Sequence, residues 1–404
     1  MKKIILTMII GTTLLCACST KNKDMKLNLF ATVPSSEQGF EKGVSACYAA
    51  VYNDTLYITG GCNFPEKPVT EGGAKRYYKS IFSIGNVEMR QSHHENKQDV
   101  IDTSQEIDGW KKVGEMPMSS AYGANIQCDK RWIIAGGMNE NGATKRVICI
   151  NLDDNCSIEN LPDLPFAIDN TSGAAANGKI FVVGGNADGK ASNMVFVLDL
   201  NNVNEGWKML SAIPSRGRVQ PVCAATEDAL FVWGGFSPAD ENGEAIAYSD
   251  GVCYDFNTNT WTTLPDVVVD GERLTFTGAS MTLVNETLLV AGGVNREIFT
   301  DAISGRYELV DKADYMHKEP EWYKFNKYLM EYDIEKGSWK VIDTDKNYAR
   351  AGALLLASEN GLFYICGELK PGIRTAEIFK LKIVGTFRIR PKLKTGRDAS
   401  IIKS

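Results

Sequence analysis

Six short apolar runs, each ending in a glycine pair or its near copy, set the terms for any fold of this chain. They are TLYITGG ending at Gly60 and Gly61, RWIIAGG at Gly136 and Gly137, IFVVGG at Gly184 and Gly185, LFVWGG at Gly234 and Gly235, LLVAGG at Gly292 and Gly293, and LFYICG at Cys366 and Gly367. Runs this short and this rich in β-branched and aromatic residues read as strands. A glycine pair lets the backbone bend and approach a neighbour where a side chain would not fit. The same plan recurs around each run. A small-residue strand precedes it, a third strand such as VICINL or GVCYDF follows, and a fourth carries Trp and ends near Pro, as in GWKKVGEMP or TWTTLP. Four short strands repeated about every 50 residues are the pattern of propeller blades.

The repeat resembles the kelch family. The predicted fold is all-β: a six-bladed β-propeller of kelch-type repeats over residues 26–385. The last unit, residues 349–383, supplies only three strands, whereas residues 26–34 have the pattern of a fourth. Pairing them would remove a free sheet edge and close the ring with the N-terminal strand. Successive pairs are 76, 48, 50, 58 and 74 residues apart, so the two long spacings hold insertions. One, around 85–108, carries His93 and His94 and reads as a surface loop. The other, around 302–325, is rich in Tyr, Glu and Lys and is expected to cover a site.

Residues 1–17 read as a lipoprotein signal: Lys2 and Lys3, an apolar run over 4–15 that is short for a membrane span, then Leu15-Cys16-Ala17-Cys18. This resembles a bacterial lipobox, with lipid on Cys18, a tether over 18–25, and a cell-envelope location facing the periplasm. Membrane contact would then run through the lipid alone. Residues 386–404 form a basic tail. Of ten cysteines, Cys47, Cys128, Cys149, Cys223, Cys253 and Cys366 lie in strand-like runs and read as small buried hydrophobes. No obligatory disulfide framework is expected, and no CxxC spacing suggests zinc. A net charge of −6 without a basic stripe argues against a nucleic-acid partner.

The residue after each pair is Cys62, Met138, Asn186, Phe236, Val294 or Glu368, and only the last is charged. Glu368 opens the loop GELKPGIR, residues 367–374. Its Pro371-Gly372 step predicts a type II turn that folds Arg374 back toward Glu368. Sixteen residues before each pair lie Val44, Ser120, Ile168, Arg218, Phe276 and Arg350. These positions are expected to face the central channel, so Arg218 and Arg350 join Glu368 and Arg374 as candidates at one mouth. Guanidinium groups around one carboxylate suit an acidic sugar or another small anion, because Arg stays charged and binds carboxylates bidentately.

VAGGVNREIF, FNKYLMEYD and ICGELKPGIRTAEIF together resemble the N-acetylneuraminate epimerases, the sialic acid mutarotases, with the blades in cyclically permuted order. The resemblance implies a cofactor-independent isomerase that interconverts α and β anomers of N-acetylneuraminate or a related acidic sugar. It needs no metal. It places the base on Glu368 and the loop arginine on Arg374. It matches Arg218 and Gln220 in RGRVQ, Lys75 and Tyr78 in GAKRYY, and Asn295 in GGVN. Arg350 stands where the family has no arginine, and Ser120 where it has one. Tyr78 or a water would protonate the ring oxygen. The rival readings are a non-catalytic kelch propeller that binds a glycan or protein, a copper oxidase and a sialidase. Only His93, His94 and His317 are available for copper, and no S-x-D-x-G-x-x-W repeat marks a sialidase.

Overall fold

A computed structural model describes residues 26–85, 109–359 and 361–381. The signal with Cys18, the insertion bearing His93 and His94, and the tail lie outside the described residues. The described chain is an all-β assembly of antiparallel sheets, an architecture consistent with a propeller.

Among the described residues, six sheets follow one four-strand meander. In the first, Ser45–Tyr52, Thr55–Asn63, Ser80–Ile84 and Lys111–Glu115 run in that order, with Arg76–Tyr77 as a short extra strand beside the second. The inner strands of the next four sheets are Ala124–Cys128, Ser172–Ala176, Val222–Ala225 and Ala279–Val284. In the sixth sheet the order is Leu354–Ser358, Gly361–Ile365, Glu377–Leu381 and Leu27–Thr32. Residues near the N-terminus therefore supply its outer strand, with Leu27 opposite Leu381. Trp110 Nε1 donates to Thr32 O at 2.8 Å and ties the first sheet's outer strand to it.

Burial explains why the glycine-ended runs stand out. Every residue of the second strands Ala229–Trp233 and Gly361–Ile365 is buried. The outer strand Thr260–Leu264 keeps three of its five residues exposed. A strand covered on both faces needs an unbroken apolar run, whereas a half-solvated one alternates. Trp207, just before one outer strand, and Trp261, on another, donate to Pro162 O and Ser211 O, which follow the outer strands of the preceding sheets.

The glycine pairs join sheet to sheet. Gly61 N donates to Ser120 O, Gly137 N to Ile168 O, Gly185 N to Arg218 O, Gly293 N to Arg350 O and Gly367 N to Val44 O, at 2.8–2.9 Å. Each acceptor belongs to the approach to the next inner strand. Gly60 and Gly136 hold φ of 66° and 68°, and a Cβ on either would lie 2.6 Å from Ser120 O or Ile168 O. Glycine is thus required both by the left-handed backbone and by the close approach. Cys366 takes the equivalent position at φ 54°.

Candidate functional site

The hairpin of Glu368–Lys370 and Ile373–Arg374 brings Glu368 opposite Arg374. Gly372, with φ 88°, sits where a type II turn requires positive φ after proline. Reciprocal backbone bonds to Ala351, at 2.7 and 3.0 Å, hold Glu368 against the approach to the sixth inner strand. Arg374 Nη2 meets Glu368 Oε1 at 2.7 Å, and Gly372 N donates to the same oxygen at 3.3 Å. Arg374 is nearly enclosed. Its Nε donates to Ser45 Oγ at 3.1 Å and its plane lies 4.9 Å from the Phe64 ring centre. Its buried Nη1 has no hydrogen-bond partner among the described residues.

Tyr122 completes this cluster. Its hydroxyl accepts from Cys62 Sγ at 3.3 Å and from Lys75 Nζ at 3.5 Å. Burial pushes its pKa well up, Cys62 and Glu368 add to the rise, and Arg374 opposes it. Burial works against the charge on Arg374, but Glu368, Tyr122 and Cys62 outweigh it and raise the guanidinium's pKa. Tyr77, paired with Cys62, is pushed up to about 12, first by burial and then by Cys62 and Asp169. The insertion expected over the site packs on the same hairpin: Lys370 Nζ donates to Lys318 O at 2.6 Å. The helix Arg296–Ile303 leads into it, and the helix Lys312–Tyr315 and the turn Pro320–Tyr323 lie within it.

Beside the cluster is a cavity of ≈150 Å³ lined by the inner strands of all six sheets, including Tyr122, Asn170, Gln220, Gly278 and Gly352. Pockets that enclose small ligands run to roughly 300–1,000 Å³, so this cavity is too small to enclose one, and Tyr122 is the residue it shares with the Glu368 cluster. The residues that reach this cavity lie fourteen, not sixteen, positions before each pair. All six of them, Ala46, Tyr122, Asn170, Gln220, Gly278 and Gly352, have φ between 50° and 69°.

That two-residue difference corrects several expectations. Arg218 and Arg350 are fully buried and bind within their own sheets. Arg218 Nη1 donates to Gly234 O at 3.0 Å, Nη2 grips Asp250 at 3.0 and 3.1 Å, and the guanidinium stacks 3.9 Å from the Tyr248 ring centre. Arg350 repeats the arrangement with Cys366 O at 2.9 Å and Glu377 Oε2 at 2.8 Å. Neither guanidinium is brought to the Glu368 cluster. Tyr78 is a core residue whose hydroxyl donates to Asn63 Oδ1 at 2.8 Å. Strand alternation puts Tyr77, not Tyr78, toward the site. Tyr78→Phe is expected to cost about 1–3 kcal/mol in denaturant unfolding, because Asn63 Oδ1 loses its buried donor. Asn295 caps the helix Arg296–Ile303 by accepting from Ile298 N at 3.0 Å. Gln220 faces the cavity and donates to Asn170 Oδ1 at 2.7 Å. Lys75 does join the cluster.

Tyr122, Cys62, Tyr77 and Asp169 were missed from sequence. Cys62 and Glu368 share one repeat position, just after the pair. The residue bonded to that position across the sheet lies fifteen before the pair, and there Asp169 stands alone among Ser45, Ala121, Val219, Thr277 and Ala351 as a charged residue.

The family model for N-acetylneuraminate epimerase matches residues 161–390. The chain is similar to an N-acetylneuraminate epimerase of Salmonella enteritidis, 31% identical over 228 residues, covering 54% of this chain and 57% of the relative. It is also similar to one of Haemophilus influenzae, 30% identical over 246 residues, covering 58% and 63%. The chain thus spans about 57–63% of the length of these relatives. The matched segment contains the glycine pairs at 184, 234 and 292 and the whole Glu368–Arg374 hairpin, so on repeat and site alike the chain belongs to the N-acetylneuraminate epimerase family.

Proposed function

We propose that this protein is a six-bladed kelch propeller, closed by its N-terminal strand, that interconverts the anomers of N-acetylneuraminate or a closely related acidic sugar. The closed ring is supported by the bond from Gly367 to Val44, which links the sixth sheet to the first. A cyclic shift of blades relative to the family accounts for a match confined to part of each chain. One observation carries the catalytic reading: Glu368 is held at 2.7 Å by an arginine that keeps a buried, unpartnered Nη1. That donor suits the sugar carboxylate.

Both hydrogen bonds to Glu368 fall on Oε1. Oε2 removes the proton of the anomeric hydroxyl as the bond from the anomeric carbon to the ring oxygen breaks. The bonding pair leaves with the ring oxygen and the anomeric oxygen becomes a ketone. Because both oxygens are attached to one carbon, Glu368 delivers the same proton to the ring oxygen and returns to its carboxylate form. Rotation of the keto carbon and the reverse transfer give the other anomer. Burial keeps the proton on Tyr122, whose oxygen accepts from Cys62 and Lys75.

The test is proton NMR of freshly dissolved N-acetylneuraminate with and without protein. Faster anomer exchange supports the reading. Binding without acceleration would instead favour a glycan-binding module. Lipid on Cys18, and with it anchoring in the bacterial envelope, is part of this proposal. The mass of the mature N-terminus checks it.

A further inference from the structure

We propose that Asp169, with Asn186 and Tyr77, forms a hydroxyl-reading subsite for the end of the sugar remote from its carboxylate. The inference rests on the function proposed above and names what fixes its substrate.

Across each sheet, the residue after the glycine pair bonds to the residue just ahead of the inner strand. Ser45 meets Cys62, Ala121 meets Met138, Asp169 meets Asn186, Val219 meets Phe236, Thr277 meets Val294 and Ala351 meets Glu368. These pairs share one end of the fold. Among them only Asp169 and Glu368 carry carboxyl groups. Asp169 belongs to the third sheet and Glu368 to the sixth, so on a ring of six they stand opposite each other across the mouth.

The surroundings of the two acids differ. Glu368 is locked to an arginine. Asp169 has no ion-pair contact among the described residues. It is buried, at 5% exposure. Asn170 Nδ2 donates to its Oδ1, and Asn186 Nδ2 lies 3.5 Å from its Oδ2. Gln220 fixes Asn170 in turn at 2.7 Å. Lys75 and Tyr77, both from the loop of the first sheet, act on Asp169 only through the electrostatic field, without a hydrogen bond to it among the described residues. Burial raises the Asp169 pKa, while Asn170, Asn186 and Lys75 oppose the rise.

Each carboxylate oxygen has lone pairs beyond the single donor it accepts, and Tyr77 brings a phenol into the same electrostatic neighbourhood. An acceptor and an amide held together, with a phenol from the neighbouring loop, match the alternating donors and acceptors of a polyol. With the sugar carboxylate on Arg374, the hydroxylated tail of a nine-carbon sugar extends toward this opposite wall. Binding-site polar groups that expect a hydroxyl reject a ligand without one.

The experiment compares N-acetylneuraminate with a seven-carbon analogue whose side chain is cut to one hydroxymethyl group, using the full chain and the variants Asp169→Asn and Tyr77→Phe. Asp169→Asn is expected to raise KM for the nine-carbon sugar about 10–100-fold with kcat within a few-fold, the loss of hydrogen bonds to a charged group. The penalty should be confined to the longer sugar. Tyr77→Phe should act in the same direction with a smaller effect, and it stands in if Asp169→Asn fails to fold. An equal penalty on both sugars would mark a structural role and overturn the subsite, as would an unchanged KM. If the wild-type protein binds but does not turn over the sugar, the enzymatic reading fails by itself. Saturation-transfer NMR of the same pairs then decides the subsite from affinity alone. If the wild-type protein binds neither sugar, both proposals fail.

Discussion

Glu368→Gln should slow anomer exchange by about 10²–10⁴-fold and lower the unfolding midpoint as well, because the carboxylate that offsets the burial of Arg374 is lost. The substitution is nearly isosteric. The amide oxygen can still accept from Arg374 Nη2 and Gly372 N, which both reach Oε1 in the native protein. The atom replacing Oε2 becomes an amide nitrogen that cannot take a proton. Bound sugar would therefore be held but not opened. The expected pattern is a collapse in kcat with a small change in KM, since the carboxylate contact belongs to Arg374. If Glu368 instead only oriented Arg374, the loss would fall mainly on KM. Exchange at the wild-type rate would remove Glu368 from the chemistry altogether.

What could be read from sequence follows from what the repeat encodes. The glycine pair encodes a backbone conformation and a close approach, so the six-sheet plan and the hairpin carrying Glu368 and Arg374 were legible. The Pro371-Gly372 turn brought those two residues together as expected. Side-chain direction is finer than strand position, and there the reading failed. A strand turns each successive residue to the opposite face, so Tyr78 went to the core and its neighbour Tyr77 to the site. Counting back sixteen residues landed on the carbonyl that receives the neighbouring glycine N–H, two residues short of the cavity. Asp169 was invisible for a related reason. It stands opposite the residue after the pair, and only the pairing register reveals that the two positions share a face. Tyr122 gave no signal, because its place in the cluster depends on contacts between different sheets.

Arg350→Ala is expected to destabilise the fold by about 2–5 kcal/mol, the scale for losing a large buried side chain together with a hydrogen-bond donor. Arg218→Ala should behave in the same way. The acids they bind, Asp250 and Glu377, keep 36% and 43% of their side chains exposed and can turn to water, so the ion pairs themselves account for little of this. The larger cost falls on the carbonyls. Gly234 O and Cys366 O, at the bend of each repeat, would lose a guanidinium donor in a place water reaches poorly. The space left beneath Tyr248 or Phe379 adds a cavity. Lysine should rescue little, because one ammonium cannot reproduce the planar fork that holds a carbonyl and a carboxylate together. Denaturant unfolding separates this role from ligand binding. A structural arginine shifts the midpoint in the absence of sugar. A binding arginine would leave that midpoint unchanged and weaken only the stabilisation that added sugar provides. Retention of wild-type stability in both Arg350→Ala and Arg218→Ala, with sugar affinity lost, would restore these residues to the site and overturn the assignment made from their burial.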